Sequence, residues 1–161
     1  IENVGEVFLM SKIQNKINKS GIDGQTWLRN ILNYNGIKDF IEESGGNKSQ
    51  IDFQIKCPNG NILYVDPTNQ NGSGSVGEKI PHKVWKYYKL YDYKKVYILM
   101  GKYDIPTKNP SVVKHCQEEY GERFETIFIT RNEMILLLEK IFDIKINMPP
   151  EMIQGTMQEF E

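Results

Sequence analysis

The sequence lacks the features that mark secreted, membrane-spanning and strongly basic proteins. Its 161 residues include two cysteines, Cys57 and Cys116, too few for the disulfide framework of a small secreted domain. The longest apolar run, from Met134 to Leu138, is far shorter than the roughly 20 residues that cross a bilayer. The formal net charge of −1 argues against a generic nucleic-acid coat, which would be basic overall. We therefore expect a soluble cytoplasmic protein with reduced thiols and no membrane partner.

Positive charge is concentrated in one segment of the chain. Residues 78–95 contain six lysines against two acids, whereas the last eleven residues carry only acids. A local basic surface on a nearly neutral protein suits an enzyme that holds DNA in one cleft. Within this segment Lys79, Lys83 and Lys86 share one face of a predicted helix. That face is either a solvated stripe or a surface that contacts the phosphates of DNA.

The chain is long enough for one domain, since domains usually hold about 100–200 residues. We predict a single domain over residues 1–161, with a helical extension at 1–20 and a tail at 146–161. The predicted elements are helices at 4–17 and 23–33, strands at 37–43, 51–56 and 62–65, a helix at 80–93, a strand at 95–100, a helix at 111–120, a strand at 124–130 and a helix at 132–141. This order predicts an α/β fold with a mixed central sheet flanked by helices on both faces.

Two predicted strands joined by a tight turn carry the residues of most chemical interest. Residues 51–56 alternate apolar and polar side chains with the two-residue period of a half-buried strand. Pro58-Asn59-Gly60 predicts a hairpin turn, and the partner strand leads to Asp66. The hairpin allows Asp52 and Asp66 to approach each other. Two carboxylates on adjacent strands form an oxygen-rich pocket suited to Mg²⁺ or Mn²⁺.

This part of the chain resembles the core of the PD-(D/E)XK restriction endonucleases. The resemblance covers about residues 36–101 and implies the αβββαβ core of that family, extended here by one strand and one helix. The matching residues are Asp52, then Asp66-Pro67-Thr68, then Asn69-Gln70, then a Gly/Ser loop that leads into Glu78-Lys79-Ile80-Pro81.

The resemblance implies a role for each matching residue. Asp52 and Asp66 would hold Mg²⁺, or Mn²⁺, together with the backbone carbonyl of Pro67. Thr68 and Gln70 would line the catalytic site. The residues expected to contact DNA are Ser73, Ser75, Lys79, His82, Lys83 and Lys86.

Thr68 departs from the family pattern, which has lysine at this position. A lysine there would orient the attacking water or stabilise developing negative charge, and threonine cannot carry a positive charge. Lys79 is the best substitute in the sequence, with Lys56 as the next candidate. Glu6 and Glu43 could supply a further metal carboxylate, although nothing in the sequence places them at the site.

The resemblance and the paired acids together predict a metal-dependent endonuclease that cuts double-stranded DNA. We expect a Type II restriction enzyme that acts as a homodimer, because two copies of one site cut two antiparallel strands. One alternative, favoured by Thr68, is a catalytically degenerate DNA-binding module with the same fold. Another is an α/β interaction domain whose helix at residues 80–93 packs on a partner. The paired acids favour the enzyme, since a pure binder gains nothing from two carboxylates that face phosphate.

Overall fold

The computed structural model describes residues 22–43, 50–68, 72, 74–150 and 152. Its helices are α1 (Gly24–Tyr34), α2 (Val76–Trp85), a π-helix (Lys86–Leu90), α3 (Ile105–Lys108), α4 (Pro110–Tyr120) and α5 (Arg131–Phe142). Its strands are β1 (Phe40–Glu42), β2 (Phe53–Lys56), β3 (Ile62–Pro67), β4 (Lys95–Leu99) and β5 (Glu125–Ile129). The helix predicted at 4–17 and most of the predicted tail lie outside the described residues.

The five strands form one mixed sheet in the order β1-β2-β3-β4-β5. The first three strands pair antiparallel, whereas β3, β4 and β5 pair parallel. A parallel pair needs a crossover connection. The segment with α2 and the π-helix links β3 to β4, and the segment with α3 and α4 links β4 to β5. The prediction of an α/β fold with a mixed sheet flanked by helices is therefore confirmed.

Helices cover both faces of the sheet and bury two separate hydrophobic clusters. On one face, Trp27 of α1 and Met134 of α5 are fully buried in the same cluster as Phe53 of β2. On the other face, Ile80 of α2 belongs to a cluster with Ile98 of β4 and with α4. Each fully buried side chain of this kind contributes about 1.5–3 kcal/mol of stability. The two clusters hold the sheet rigidly between its helices.

Local sequence signals account for several ends of these elements. Asp23 caps α1, because its Oδ1 accepts a hydrogen bond from the backbone N–H of Thr26 at 2.9 Å. Thr130 and Glu133 form a reciprocal capping box at the start of α5, with distances of 3.1 and 3.0 Å. Gly60 closes the turn between β2 and β3 with a left-handed φ of 88°, a conformation that favours glycine. The predicted helix start and the predicted hairpin are thus observed.

The helix predicted at residues 80–93 differs most from the observed structure. It begins earlier, at Val76, directly after Ser75, whose backbone is left-handed. It contains Pro81, which has no N–H to donate to the helix, and it continues after Trp85 as the π-helix. Single π-helical turns are uncommon and often lie at functional sites. Here the π-helix contains Tyr87, whose hydroxyl forms a hydrogen bond with Asp66 of β3.

Candidate active site

The β2–β3 hairpin brings the two predicted metal ligands together. The ladder between these strands pairs Phe53 with Val65, and Asp52 and Asp66 are the residues that directly adjoin this last pair. Asp66 lies inside β3, which runs to Pro67 rather than ending before the acid as the sequence predicted. Both acids are buried, with exposed fractions of 8% for Asp52 and 1% for Asp66.

The chain bends at Asp52 before β2 begins. Phe53 belongs to the cluster beneath α1 and α5, as alternation predicts, but Ile51 belongs to the cluster on the opposite face. The alternation predicted for residues 51–56 therefore holds only from Phe53 onward. Hydrogen bonds fix the bend: the N–H of Ile51 donates to the Tyr93 hydroxyl at 3.3 Å, and the N–H of Glu43 donates to the Asp52 carbonyl at 2.8 Å.

Two side chains from the helical segment above the sheet contact the Asp66 carboxylate. The Lys83 ammonium lies 3.1 Å from Oδ2 and 3.3 Å from Oδ1 of Asp66. The Tyr87 hydroxyl donates a hydrogen bond to Oδ2 of Asp66. A buried carboxylate is costly unless it is paired and hydrogen-bonded, and these two partners supply both conditions.

Tyr87 links the two acids electrostatically. Its side chain is buried, and burial raises the pKa of the Tyr87 hydroxyl far above its ordinary value. The negative charge of Asp66, the hydrogen bond to Asp66 and, to a smaller extent, the charge of Asp52 raise that pKa further. The hydroxyl therefore keeps its proton and acts as a donor. Because both carboxylates act on this one group, Asp52 and Asp66 belong to the same buried site.

The residues at the site fit a small divalent cation in ligand type and charge. Within the described residues, no group of three or more His, Cys, Asp or Glu side chains is placed to hold a metal ion. Mg²⁺, however, is usually bound by one or two carboxylates, with water and substrate phosphates as its remaining ligands. Asp52 and Asp66 supply two carboxylates, and the charge of Lys83 balances one of them. Carboxylate oxygens are the ligand type that Mg²⁺ prefers, so the two acids match such a cation in chemistry.

Glu43 is a third acid on the same end of the sheet. Its backbone pairs with Asp52, and its Oε2 is buried without a hydrogen-bond partner in the described part of the chain. Burial raises the pKa of the Tyr93 hydroxyl, and the negative charge of Glu43 adds a small increase. Glu43 directly follows β1 and Asp52 directly precedes β2, so Glu43 is a third acid near Asp52 at this end of the sheet. The sequence named this residue as a possible further carboxylate without placing it there.

Of the other residues predicted at the catalytic site, the structure describes Pro67 and Thr68. Pro67 ends β3 in a parallel pair with Leu99 of β4. Thr68 is buried, and its N–H donates to the carbonyl of Leu99 at 2.8 Å. Gln70 lies outside the described residues. The backbone at Thr68 is thus held by β4, one residue beyond the end of the β3 strand.

The predicted basic stripe divides into residues with different surroundings. Lys79 and His82 are exposed, and the His82 ring stacks on Trp85 with ring centroids 5.9 Å apart. The Lys86 ammonium lies 5.8 Å from the centre of the Tyr91 ring. Lys83 instead points to the sheet and pairs with Asp66. The remaining predicted DNA contacts are Ser75, which is exposed before α2, and Ser73, which lies outside the described residues.

Sequence reasoning placed Lys83 among the DNA contacts and Tyr87 among the packing residues, and so missed their contacts with Asp66. One signal pointed to them: Lys83 and Tyr87 are four residues apart, the spacing of neighbours on a helix face. Lys79 stands four residues earlier in the same line of α2 but is exposed. The spacing alone does not show which of these residues faces an acid.

No family model, no curated protein sequence and no solved structure matches the chain. The assignment to the PD-(D/E)XK endonucleases therefore rests on the residues and geometry above and stays a prediction. Among the helices that the structure describes, none has both the length and the apolar character needed to cross a membrane.

Proposed function

We propose that this protein is a divalent-metal-dependent endonuclease that hydrolyses phosphodiester bonds in double-stranded DNA. The observation that carries the proposal is the buried pair Asp52 and Asp66, which adjoin the last ladder pair of the β2–β3 hairpin, with the Lys83 ammonium on Asp66. The order of the sheet supports it, because three antiparallel strands followed by a crossover to a parallel fourth strand agree with the αβββαβ core.

In this proposal the two acids hold Mg²⁺ or Mn²⁺, and the carbonyl of Pro67 is a further ligand. The bound cation would polarise the scissile phosphodiester and lower the pKa of the attacking water. Tyr87 holds the Asp66 carboxylate in place by its hydrogen bond. Asp66 is part of β3, whereas Asp52 directly precedes β2 and is held by the hydrogen bond from the N–H of Glu43 to its carbonyl.

Lys83 is our choice for the positive charge that Thr68 cannot provide. The sequence argument assigned this charge to Lys79, which is exposed on α2. The Lys83 ammonium already lies at the carboxylate pair, within 3.1 Å of Asp66. A cation near the reacting phosphate stabilises the charge that develops during cleavage, and loss of such a group costs about 10²–10³ in rate. We expect Lys83→Met to slow cleavage by this amount and Lys79→Met to leave the rate nearly unchanged.

We further propose that the protein acts as a homodimer of the Type II restriction class. Cleavage of both strands by one kind of active site is achieved most simply with two-fold symmetry. Sedimentation with and without a DNA duplex tests this point, because a specific double-strand cutter should sediment at about twice 18.8 kDa. A strict monomer under both conditions would favour a nickase or a DNA-binding protein.

The proposed activity is tested by incubating the protein with supercoiled plasmid and Mg²⁺ or Mn²⁺, with EDTA as the control. Nicked and linear products should form only with the metal. Asp52→Asn and Asp66→Asn should each lower the rate by at least about a hundredfold, because each removes a metal ligand. DNA binding should survive in both variants, since repulsion between carboxylate and phosphate is reduced.

Asp39→Asn is the matched control for these substitutions. Asp39 is an exposed acid just before β1, 4.0 Å from the Lys56 ammonium. Its loss removes the same charge from the protein without touching the buried pair. If Asp66→Asn cut at the wild-type rate, the assignment of Asp66 as a metal ligand would be wrong. The observed cleavage would then come from other residues or from a contaminating nuclease.

One observation favours a second candidate function, a DNA-binding module that does not cut. Both oxygens of Asp66 are already engaged, by Lys83 and by Tyr87, and Thr68 replaces the family lysine. In such a module Lys83 would neutralise Asp66 permanently. The plasmid assay separates the two candidates: DNA binding without cleavage under any divalent metal would establish the module.

A further inference from the structure

Asp66 has two partners that differ in how freely they can move. Lys83 has a side chain that is 31% exposed, whereas Tyr87 is buried among the aromatic residues above the sheet. A lysine side chain is long and flexible and carries a compact charge. The Tyr87 ring, by contrast, is packed beside Tyr91 and Tyr93, with centroids 5.9 and 6.3 Å away. Of the two partners, Lys83 is the one that can leave.

We propose that Lys83 is an exchangeable counter-ion: it occupies Asp66 until a divalent cation takes its place, and it thereby sets the cation affinity of the site. This inference rests on the proposed function, since it concerns the cation of the same acids. Tyr87 stays on Oδ2 throughout and keeps the carboxylate oriented.

The geometry requires an exchange rather than joint occupancy. The Lys83 ammonium lies across both oxygens of Asp66, at 3.1 and 3.3 Å, and Asp66 is 1% exposed. A second cation on the same carboxylate would stand within a few ångströms of the ammonium, where like charges repel strongly at the low dielectric of a buried site. Lys83 is also the more exposed partner, so its side of the carboxylate is the side open to solvent.

Exchange would place the released ammonium where the proposed reaction needs it. Lys83 remains on α2 above the acids after it leaves Asp66, because its backbone is part of the helix. Its side chain can then reach a phosphate bound to the cation. The carboxylate stays neutralised in both states, first by Lys83 and then by the cation, so no buried charge is left unpaired.

The test is calorimetric titration with Mn²⁺ and no DNA, on the wild type, Lys83→Met, Lys79→Met and Asp66→Asn. Lys83→Met should bind Mn²⁺ at least about tenfold more tightly than the wild type, because the competing charge is gone. Lys79→Met removes the same charge from the exposed face of the same helix and should show the wild-type affinity. Asp66→Asn should lose the site. Equal or weaker binding by Lys83→Met overturns the inference.

A second measurement covers the case in which Lys83→Met does not fold. Acetylation of individual lysines in the wild-type protein is followed by mass spectrometry with and without Mg²⁺. Lys83 should react slowly without Mg²⁺ and at least about fivefold faster with it, since the contact with Asp66 holds its nitrogen against a buried carboxylate and shields it from the reagent. Lys79 should react at the same rate in both. A Lys83 rate that does not respond to Mg²⁺ overturns the inference.

These tests separate the exchange from the proposed activity because neither uses DNA or cleavage. If Lys83→Met binds Mn²⁺ more tightly but the wild type never cuts DNA, the exchange stands and the endonuclease proposal fails. If the wild type cuts DNA with Mg²⁺ while Lys83 shows neither effect, the endonuclease proposal stands and the exchange fails.

Discussion

Replacing Lys83 with methionine would leave the buried Asp66 carboxylate without its positively charged partner. Methionine keeps an unbranched apolar side chain, so the change removes the charge with little loss of packing. The Tyr87 hydrogen bond would remain, but a neutral donor does not balance a full negative charge. We therefore expect Lys83→Met to destabilise the protein even without any ligand.

The magnitude follows from the geometry of the pair. At 3.1 Å, and at an effective dielectric constant of about 20, two unit charges attract by about 5 kcal/mol. Measured losses from breaking one side of a buried ion pair are about 3–5 kcal/mol. Because 31% of the Lys83 side chain is exposed and solvent screens part of the attraction, we expect a loss of about 2–4 kcal/mol. For a chain of this length, that corresponds to a fall in Tm of roughly 5–15 °C.

Urea denaturation followed by circular dichroism measures this loss. Asp66→Asn in the Lys83→Met background should restore most of the stability, because the double variant buries no charge at this position. Mg²⁺ should raise the Tm of Lys83→Met more than that of the wild type, since the stabilisation by a ligand rises with the logarithm of its affinity. The reasoning is refuted if Lys83→Met unfolds within about 0.5 kcal/mol of the wild type, or if the two substitutions are simply additive.

Three further predictions concern single groups elsewhere. Tyr87→Phe should cost about 1.5–3 kcal/mol in the same denaturation assay, as expected for a hydrogen bond to a charged group, whereas Tyr88→Phe should cost much less. The Arg29 guanidinium lowers the pKa of Glu42 below its ordinary 4.5, so the stability from this pair is present above pH 4.5 and is lost as pH falls through the lowered value. Glu42→Gln should flatten the acid limb of a plot of Tm against pH. Burial raises the pKa of Cys57 and of the second cysteine, so both thiols of the folded protein should react with a disulfide reagent far more slowly than in urea.

Local patterns determined much of the architecture from the sequence alone. The start of α1 at Asp23, the turn at Gly60 and the strands on either side of it depend on neighbours in the chain, which is why periodicity and turn residues predict them. The order of strands and helices then restricts the sheet to a few topologies. The pairing of Asp52 with Asp66 follows as well, because a short hairpin loop sets the register of the two strands.

Only the tertiary structure decided which side chains surround Asp66. Lys83 and Tyr87 are 17 and 21 residues from this acid, and their contacts depend on how α2 and the π-helix cross the sheet between β3 and β4. An α-helix that continued unchanged beyond Trp85, without the π-helical turn, would place Tyr87 at a different angle to the carboxylate, since each residue turns an α-helix by about 100°. The resemblance to the endonuclease family predicts a positive charge near the acids, and the sequence offers several lysines on one helix face. The packing of that helix on the sheet places Lys83 against Asp66 and leaves Lys79 exposed.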